Sequence, residues 1–131
     1  MYIRKFNVRN YMIHKDTNLS LTPITVLVGP NGGGKSALFD AMLNFSMVSR
    51  GSITQAFGPF PFSYKSTLWN GAKGVDGRMH YDVELSSAED SQGYLKYEIA
   101  YAQNGVEFSR PAYTIFTERL TKMQSNEILF D

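Results

Sequence analysis

A chain of 131 residues, of which 43% are hydrophobic and 14% aromatic, is long enough for one domain with a packed core. A net charge of +1 gives no sign of a polyanionic partner, and the absence of cysteine excludes disulfides and thiolate metal sites. Charged residues interrupt every short apolar window near the amino terminus, and no stretch approaches the roughly 20 apolar residues that span a bilayer. We therefore expect a soluble cytoplasmic protein with no membrane partner.

The first 28 residues are predicted to form three strands. Alternating apolar and polar side chains predict a strand over residues 2–12, and polar residues predict a turn over residues 12–18. Alternation over residues 19–21 predicts a short second strand. The run ITVLV, residues 24–28, is apolar and largely β-branched, which is typical of a strand buried on both faces in a parallel sheet covered by helices.

A glycine-rich stretch and a helix follow, and the chain then changes character. Apolar residues on nearly all sides predict a buried helix over residues 35–50, ended by Gly51. The next segment is rich in Gly, Pro and Ser and predicts an irregular excursion, whereas period-2 alternation from residue 78 predicts antiparallel strands with a two-residue turn at Asn104 and Gly105. We treat residues 1–131 as one amino-terminal lobe with three parts, 1–50, 51–77 and 78–131.

The stretch GPNGGGKS fits the pattern G-x-x-x-x-G-K-S through Gly29, Gly34, Lys35 and Ser36. A loop that wraps a phosphate must turn several backbone N–H groups inward, which glycines permit because they lack a Cβ. The helix that follows offers free N–H groups and a partial positive charge to an anion. The pattern therefore predicts an ATP site in which Lys35 contacts the β- and γ-phosphates and Ser36 binds Mg²⁺. A plain connector would not need lysine and serine at fixed positions, but the loop does not distinguish ATP from GTP.

The first 50 residues resemble the amino-terminal half of an ABC-type ATPase head of the SMC, RecF and OLD-like branch of AAA family ATPases. Five features carry the resemblance: an Asn-aromatic pair ending the first strand, a short second strand, an apolar strand, the glycine-rich loop, and an Asp-Ala pair within the helix. In this chain they are Asn10 with Tyr11, residues 19–21, residues 24–28, residues 29–36, and Asp40 with Ala41. Residues 94–120 are similar to the antiparallel β subdomain of such heads.

The resemblance implies an α/β fold of the P-loop NTPase class, with a mixed sheet and an antiparallel β subdomain, incomplete in this chain. It implies a homodimer, or pairing with the rest of the ATPase head, so that ATP is enclosed between two heads. It also implies action in DNA repair, chromosome maintenance or phage defence, with DNA as a partner by family likeness alone. The nucleotide site that it implies comprises Asn31, Gly32, Gly33, Gly34, Lys35, Ser36 and Ala37, with Ser36 also the metal ligand.

Related heads often carry an arginine directly after the Asn-aromatic pair, and this chain has Met12 there. Arg9 or Lys15 could substitute, although a solvated charge at a strand end is the simpler interpretation of each. His14 could touch the nucleotide, although a surface histidine is the simpler interpretation. Asp40 is interpreted as structural.

Hydrolysis also requires an acidic Mg²⁺ ligand at the end of an apolar strand and a group that orients the attacking water. After the loop, the one apolar run that ends in Asp is ILFD, residues 128–131, which we interpret as a strand of the β subdomain. Gln55, Gln103 and Gln124 are interpreted as ordinary polar residues rather than a metal-sensing glutamine. The catalytic residues are thus unassigned, and we expect a parent ATPase of which this chain alone hydrolyses ATP very slowly or not at all.

Three other functions use a similar loop: a nucleotide kinase, an ATP-gated interaction module without turnover, and a transporter ATPase subunit. A kinase needs several arginines on a lid and at its acceptor site, whereas the arginines after Arg50 are Arg78, Arg110 and Arg119, in strand-like contexts. The interaction module stays open as an alternative, and a transporter subunit would need a membrane partner. Aromatic residues that could stack bases are better explained as core and loop packing; they are the tyrosines, Phe57, Phe60, Phe62 and Trp69.

Overall fold

The described residues form one antiparallel sheet with a long helix packed on one of its faces. The computed structural model describes residues 1–58, 63–72, 77–86, 94–107, 109–123 and 127–131. The strands are β1 (Tyr2–Tyr11), β2 (His14–Ser20), β3 (Met79–Ser86), β4 (Tyr94–Glu107), β5 (Arg110–Lys122) and β6 (Glu127–Phe130). The helices are α1 (Lys35–Ser49), α2 (Ile53–Phe57) and α3 (Ser63–Thr67), and a 3₁₀ turn spans Asn70–Ala72. The spatial order of the strands is β2-β1-β3-β4-β5-β6, and each neighbouring pair is antiparallel.

The predicted mixed sheet is not found, because the sheet is antiparallel throughout the described residues. Residues 24–28, predicted as a buried parallel strand, form no strand here, and Ile24, Val26 and Val28 are 86%, 78% and 91% exposed. β-branched residues favour an extended backbone, but a strand also needs a neighbour whose N–H and C=O groups can pair with its own. Among the described strands none pairs with this segment, so the apolar run stays open to solvent.

The hairpin of β1 and β2 is tighter than predicted. Its turn consists of Met12 and Ile13, and β2 already begins at His14, opposite Tyr11. The prediction of a turn over residues 12–18 is therefore wrong, because the polar residues lie on an edge strand whose exposed side chains face solvent. Across the pair, Asn7 donates a hydrogen bond of 2.9 Å to Asp16.

The core lies between α1 and one face of the sheet. Alternate residues of β1, β3 and β4 point into it; they are Phe6, Val8, Met79, Tyr81, Val83, Ile99 and Tyr101. They meet the buried side of α1, which carries Leu38, Ala41 and Val48. The prediction of α1 is confirmed, but its burial on nearly all sides is wrong, since Phe39 and Leu43 are more than half exposed. Described residues cover one side of this helix, and the second apolar side faces outward. None of the described helices is both long and apolar enough to cross a membrane.

The segment between α1 and β3, predicted as irregular, contains α2, α3 and the 3₁₀ turn. Phe57 and Tyr64 are buried there and pack edge to face, with ring centroids 5.2 Å apart. Trp69 packs against the same core, which agrees with the packing interpretation of the aromatics, while Phe60 and Phe62 lie outside the described residues.

The turn predicted at Asn104 and Gly105 is wrong, because β4 continues to Glu107, which pairs with Arg110 of β5. The pairing register shifts between Gln103 and Gly105, so the Asn-Gly pair forms a bulge inside a long strand instead of a turn. The further strands predicted around residues 113–120 and 127–130 are present as β5 and β6.

Candidate functional site

The glycine-rich loop curls directly into the first turn of α1. Gly34 is the N-cap of α1 and has left-handed backbone angles, φ 88° and ψ 4°. Gly32 also has positive φ, 80°, and the amide of Gly33 donates to the carbonyl of Pro30 at 3.1 Å, which closes a turn. Because Gly34 has no side chain to cap the helix, the N–H groups of the first turn are left for another acceptor.

The hairpin of β1 and β2 presses against Gly34. A Cβ at this position would lie 2.7 Å from Cδ1 of Ile13, and 3.1 Å and 3.2 Å from Cε1 and Nε2 of His14. Glycine is therefore required here twice, by the left-handed backbone and by the hairpin that fills the space of a side chain. The sequence pattern predicts glycine here because a ligand must approach the backbone closely. The structure adds a second reason, the close contact of Ile13 and His14 with this position.

Lys35 lies over the loop that precedes it. Its Nζ donates to the carbonyl oxygens of Gly29 at 2.5 Å and Pro30 at 2.7 Å. The ammonium group is thus held at the loop by bonds to neutral, exposed acceptors. A more strongly charged acceptor could replace these carbonyls without breaking any buried contact.

A cleft of about 460 Å³ opens beside the loop. Its lining contains six of the seven predicted binding residues together with the two residues of the hairpin turn; they are Asn31, Gly32, Gly34, Lys35, Ser36, Ala37, Met12 and Ile13. Gly33, the seventh, belongs to the same loop but does not line the cleft. The structure therefore places the predicted residues around one space, and their binding of nucleotide stays a prediction.

The cations considered as substitutes for an arginine at position 12 lie elsewhere. Arg9 lines a different, polar groove on the sheet, together with Asn7 and Asp82. Lys15 has its Nζ 5.5 Å from the centre of the Trp69 ring, a cation–π contact. In the cleft itself, Met12 and Ile13 present apolar side chains beside the loop.

His14 is buried, whereas a surface histidine was the simpler interpretation of the sequence. It is 9% exposed, and both of its ring nitrogens have partners. Nδ1 lies 2.7 Å from Oγ1 of Thr17, and Nε2 lies 3.1 Å from the carbonyl oxygen of Gly34. No local signal could have shown this contact, because Gly34 follows His14 by twenty residues.

Asp131, the acidic residue considered as a Mg²⁺ ligand, lies far from the loop in the order of the strands, whereas Asp40 is exposed on α1 and its structural role stays a prediction. Asp131 follows β6 at the sheet edge opposite β2 and forms an ion pair of 2.7 Å with Arg119. Burial, with a smaller contribution from Asp40, raises the pKa of Tyr11 to about 12, so this hydroxyl stays neutral. No group of three or more His, Asp or Glu side chains suited to a metal occurs in the part of the chain that the structure describes.

The three glutamines considered as metal sensors lie in different parts of the chain. Gln55 lies in α2, where its backbone N–H donates to the N-cap hydroxyl oxygen of Ser52 at 3.4 Å. The side chain of Gln103 donates to the carbonyl of Gly105 within β4. Gln124 lies outside the described residues.

A glycine-rich loop opening a helix, with a lysine bonded back to the loop and a serine beside it, is the arrangement typical of phosphate-binding loops. The family of AAA ATPase domains matches residues 1–127, and the chain belongs to that family. It is also similar to the OLD nuclease of Thermus scotoductus (strain ATCC 700910 / SA-01), with 28% identity over 106 residues. That alignment covers 63% of this chain and 20% of the relative, so the chain spans about a fifth of the OLD nuclease's length. Both findings agree with the resemblance to the OLD-like branch.

Proposed function

We propose that this chain is the part of an OLD-like ATPase that binds ATP and Mg²⁺ through the loop of residues 29–36. The observation that supports this most directly is the left-handed Gly34 opening α1, with Lys35 over the curl and a cleft of about 460 Å³ beside it. The amides of residues 31–37 would hold the phosphate oxygens, and the helix terminus would supply partial positive charge.

The residues of the loop fit this ligand chemically. Lys35 would exchange two neutral carbonyl acceptors for phosphate oxygens, which is favourable because hydrogen bonds between charged partners are stronger. Ser36 is exposed in the first turn of α1 and would offer its hydroxyl to Mg²⁺. When bound, Mg²⁺ would supply positive charge that offsets the negative charge of the phosphates.

Hydrolysis would require residues beyond those described here, supplied by a second copy or by the rest of the ATPase head. Two apolar surfaces support such a partner: the segment of Ile24, Val26 and Val28, and the outer side of α1 with Phe39 and Leu43. All five side chains are more than half exposed. Exposed groups of large apolar residues commonly mark surfaces that bind another protein. We propose that the complete protein is an ATPase acting on DNA in repair, chromosome maintenance or phage defence, as the likeness to an OLD nuclease suggests.

Titration of the protein with Mg²⁺ and ATP tests the binding proposal. Lys35→Ala should weaken ATP binding about 10- to 150-fold, because hydrogen bonds to a charged group are worth about 1.5–3 kcal/mol. The unfolding temperature should hardly change, since the hydrogen bonds of Lys35 to the described residues go to exposed loop carbonyls. Lys65→Ala, which removes an exposed lysine from α3, is the matched control and should bind like the wild type.

Equal affinity of wild type and Lys35→Ala would refute the site assignment. ATP turnover by this chain alone near 1 s⁻¹, about the low end of typical enzymes, would contradict the expectation that its catalytic residues lie elsewhere. Binding with no turnover, even after addition of the rest of the ATPase head, would favour the ATP-gated interaction module.

A further inference from the structure

His14 joins two parts of the molecule that are far apart in sequence. It begins β2 directly after the hairpin turn, and its ring reaches the N-cap residue of α1. The ring is 9% exposed, and each nitrogen has one partner within the protein, Thr17 for Nδ1 and Gly34 for Nε2. The imidazole therefore has a defined orientation and is shielded from solvent.

The partners determine which nitrogen carries the proton. The carbonyl oxygen of Gly34 can only accept, so Nε2 must carry hydrogen and donate to it. In the neutral ring Nδ1 then accepts, and the hydroxyl of Thr17 donates to it at 2.7 Å. The result is a directed chain from the Thr17 hydroxyl through His14 to the Gly34 carbonyl.

That carbonyl oxygen is also the first acceptor of α1. It receives a hydrogen bond of 2.9 Å from the amide of Leu38, so His14 and Leu38 hold it together. Because the peptide unit is planar, fixing the carbonyl of Gly34 also fixes the direction of the N–H of Lys35 on the other side of the same peptide. A donor on the carbonyl further polarises the peptide and strengthens its N–H as a donor.

We propose that His14 is a positioning residue for the phosphate loop: its Nε2–H clamps the Gly34 carbonyl and thereby aims the Lys35 amide at the phosphates. This inference rests on the proposed function, because the direction of the Lys35 N–H can affect affinity only if the loop binds a nucleotide. His14 acts through Gly34 and Lys35, and the ring itself need not touch the ligand.

Three substitutions test the proposal in titrations with Mg²⁺ and ATP. His14→Leu keeps a side chain of similar volume but has no donor, and it should weaken ATP binding about tenfold or more. His14→Gln places an amide N–H near the position of Nε2 and should restore affinity to within about threefold of wild type. Thr17→Val removes the hydroxyl that orients the ring and should give an intermediate affinity.

Wild-type affinity in His14→Leu, or equal weakening by His14→Gln and His14→Leu, would overturn the proposal. If His14 were purely structural, His14→Leu and His14→Gln would both lower the unfolding temperature, and the affinity of the folded protein for ATP would stay unchanged. Should His14→Leu fail to fold, the ¹⁵N chemical shifts of the wild-type ring decide the matter. A proton on Nε2 with bare Nδ1 supports the clamp, and the opposite tautomer overturns it.

Failure of the proposed function can be told apart from failure of this inference. If the wild type binds no nucleotide, the function proposal fails, and amide hydrogen exchange without ligand then tests the clamp. His14→Leu should accelerate exchange of the Leu38 amide at least about fivefold more than that of the Met42 amide in the same helix. His14→Gln should keep the wild-type ratio of the two rates. Equal acceleration of both amides in His14→Leu would mean general loosening of α1 and would overturn the clamp.

Discussion

Substitution of two loop glycines should separate backbone strain from contact with the hairpin. Gly34 and Gly32 both have positive φ, 88° and 80°. A Cβ at Gly34 would meet Ile13 and His14, the nearest atom at 2.7 Å, whereas a Cβ at Gly32 would meet nothing within 4 Å. Gly34→Ala should therefore destabilise the protein more than Gly32→Ala, and Gly32→Ala is the matched control.

The expected difference follows from the contacts. A left-handed alanine costs about 1 kcal/mol at either position. At Gly34 the flexible end of Ile13 can turn away, but His14 must shift, and its hydrogen bond to the Gly34 carbonyl is worth about 1 kcal/mol. An unfolding entropy of about 2.1 cal/mol/K per residue gives about 0.28 kcal/mol/K for 131 residues. Gly34→Ala should thus lower Tm by about 7 °C and Gly32→Ala by about 4 °C.

Thermal unfolding followed by circular dichroism, without nucleotide, measures both changes. Equal losses in the two variants would refute the reasoning, because they would show that the hairpin places no constraint on position 34. A larger loss in Gly32→Ala would also refute it.

Two further predictions concern the buried polar groups beneath α1. Asn44→Ala removes the Oδ1 that accepts from the hydroxyls of Tyr81 at 2.8 Å and Tyr101 at 3.0 Å. Unfolding in urea should show a loss of about 2–4 kcal/mol in the free energy of unfolding, since two buried hydroxyls lose their acceptor. Adding Tyr81→Phe and Tyr101→Phe to Asn44→Ala should recover part of this loss, and no recovery would show that the explanation is wrong. Burial raises the pKa of Tyr81 and Tyr101 well above the ordinary 10.0, and that of Tyr11 to about 12. Because these pKa values are higher in the folded state, the contribution of these tyrosines to stability should be constant below about pH 10. It should fall as the pH rises above 10, because the unfolded chain loses these protons first. Absorbance at 295 nm against pH checks this, and ionisation of all eight tyrosines near pH 10 in the folded protein would contradict it.

Features set by local sequence were predicted well. The alternation in β1 and the helical spacing in α1 each reflect which side of one element is apolar, and both elements are present. The pattern Gly34, Lys35 and Ser36 likewise predicted a loop opening a helix, since the need for a left-handed glycine is local.

Features that depend on a distant partner were predicted poorly. Residues 24–28 have the composition of a buried strand, but strand formation needs a neighbour, and none of the described strands pairs with them. Asn104 and Gly105 have the composition of a turn, but continued pairing with β5 makes them a bulge. In both cases the local preference was read correctly, and the pairing of another segment decided the outcome.

The sequence by itself determined the residue types of the loop: its glycines, one lysine and one serine match the phosphate-loop pattern, and each requirement of that pattern falls within eight consecutive residues. Only the tertiary structure decided what holds that curl in place. The hairpin that carries His14 reaches Gly34 across twenty residues of chain, and contacts at such a separation arise from packing that no local pattern encodes.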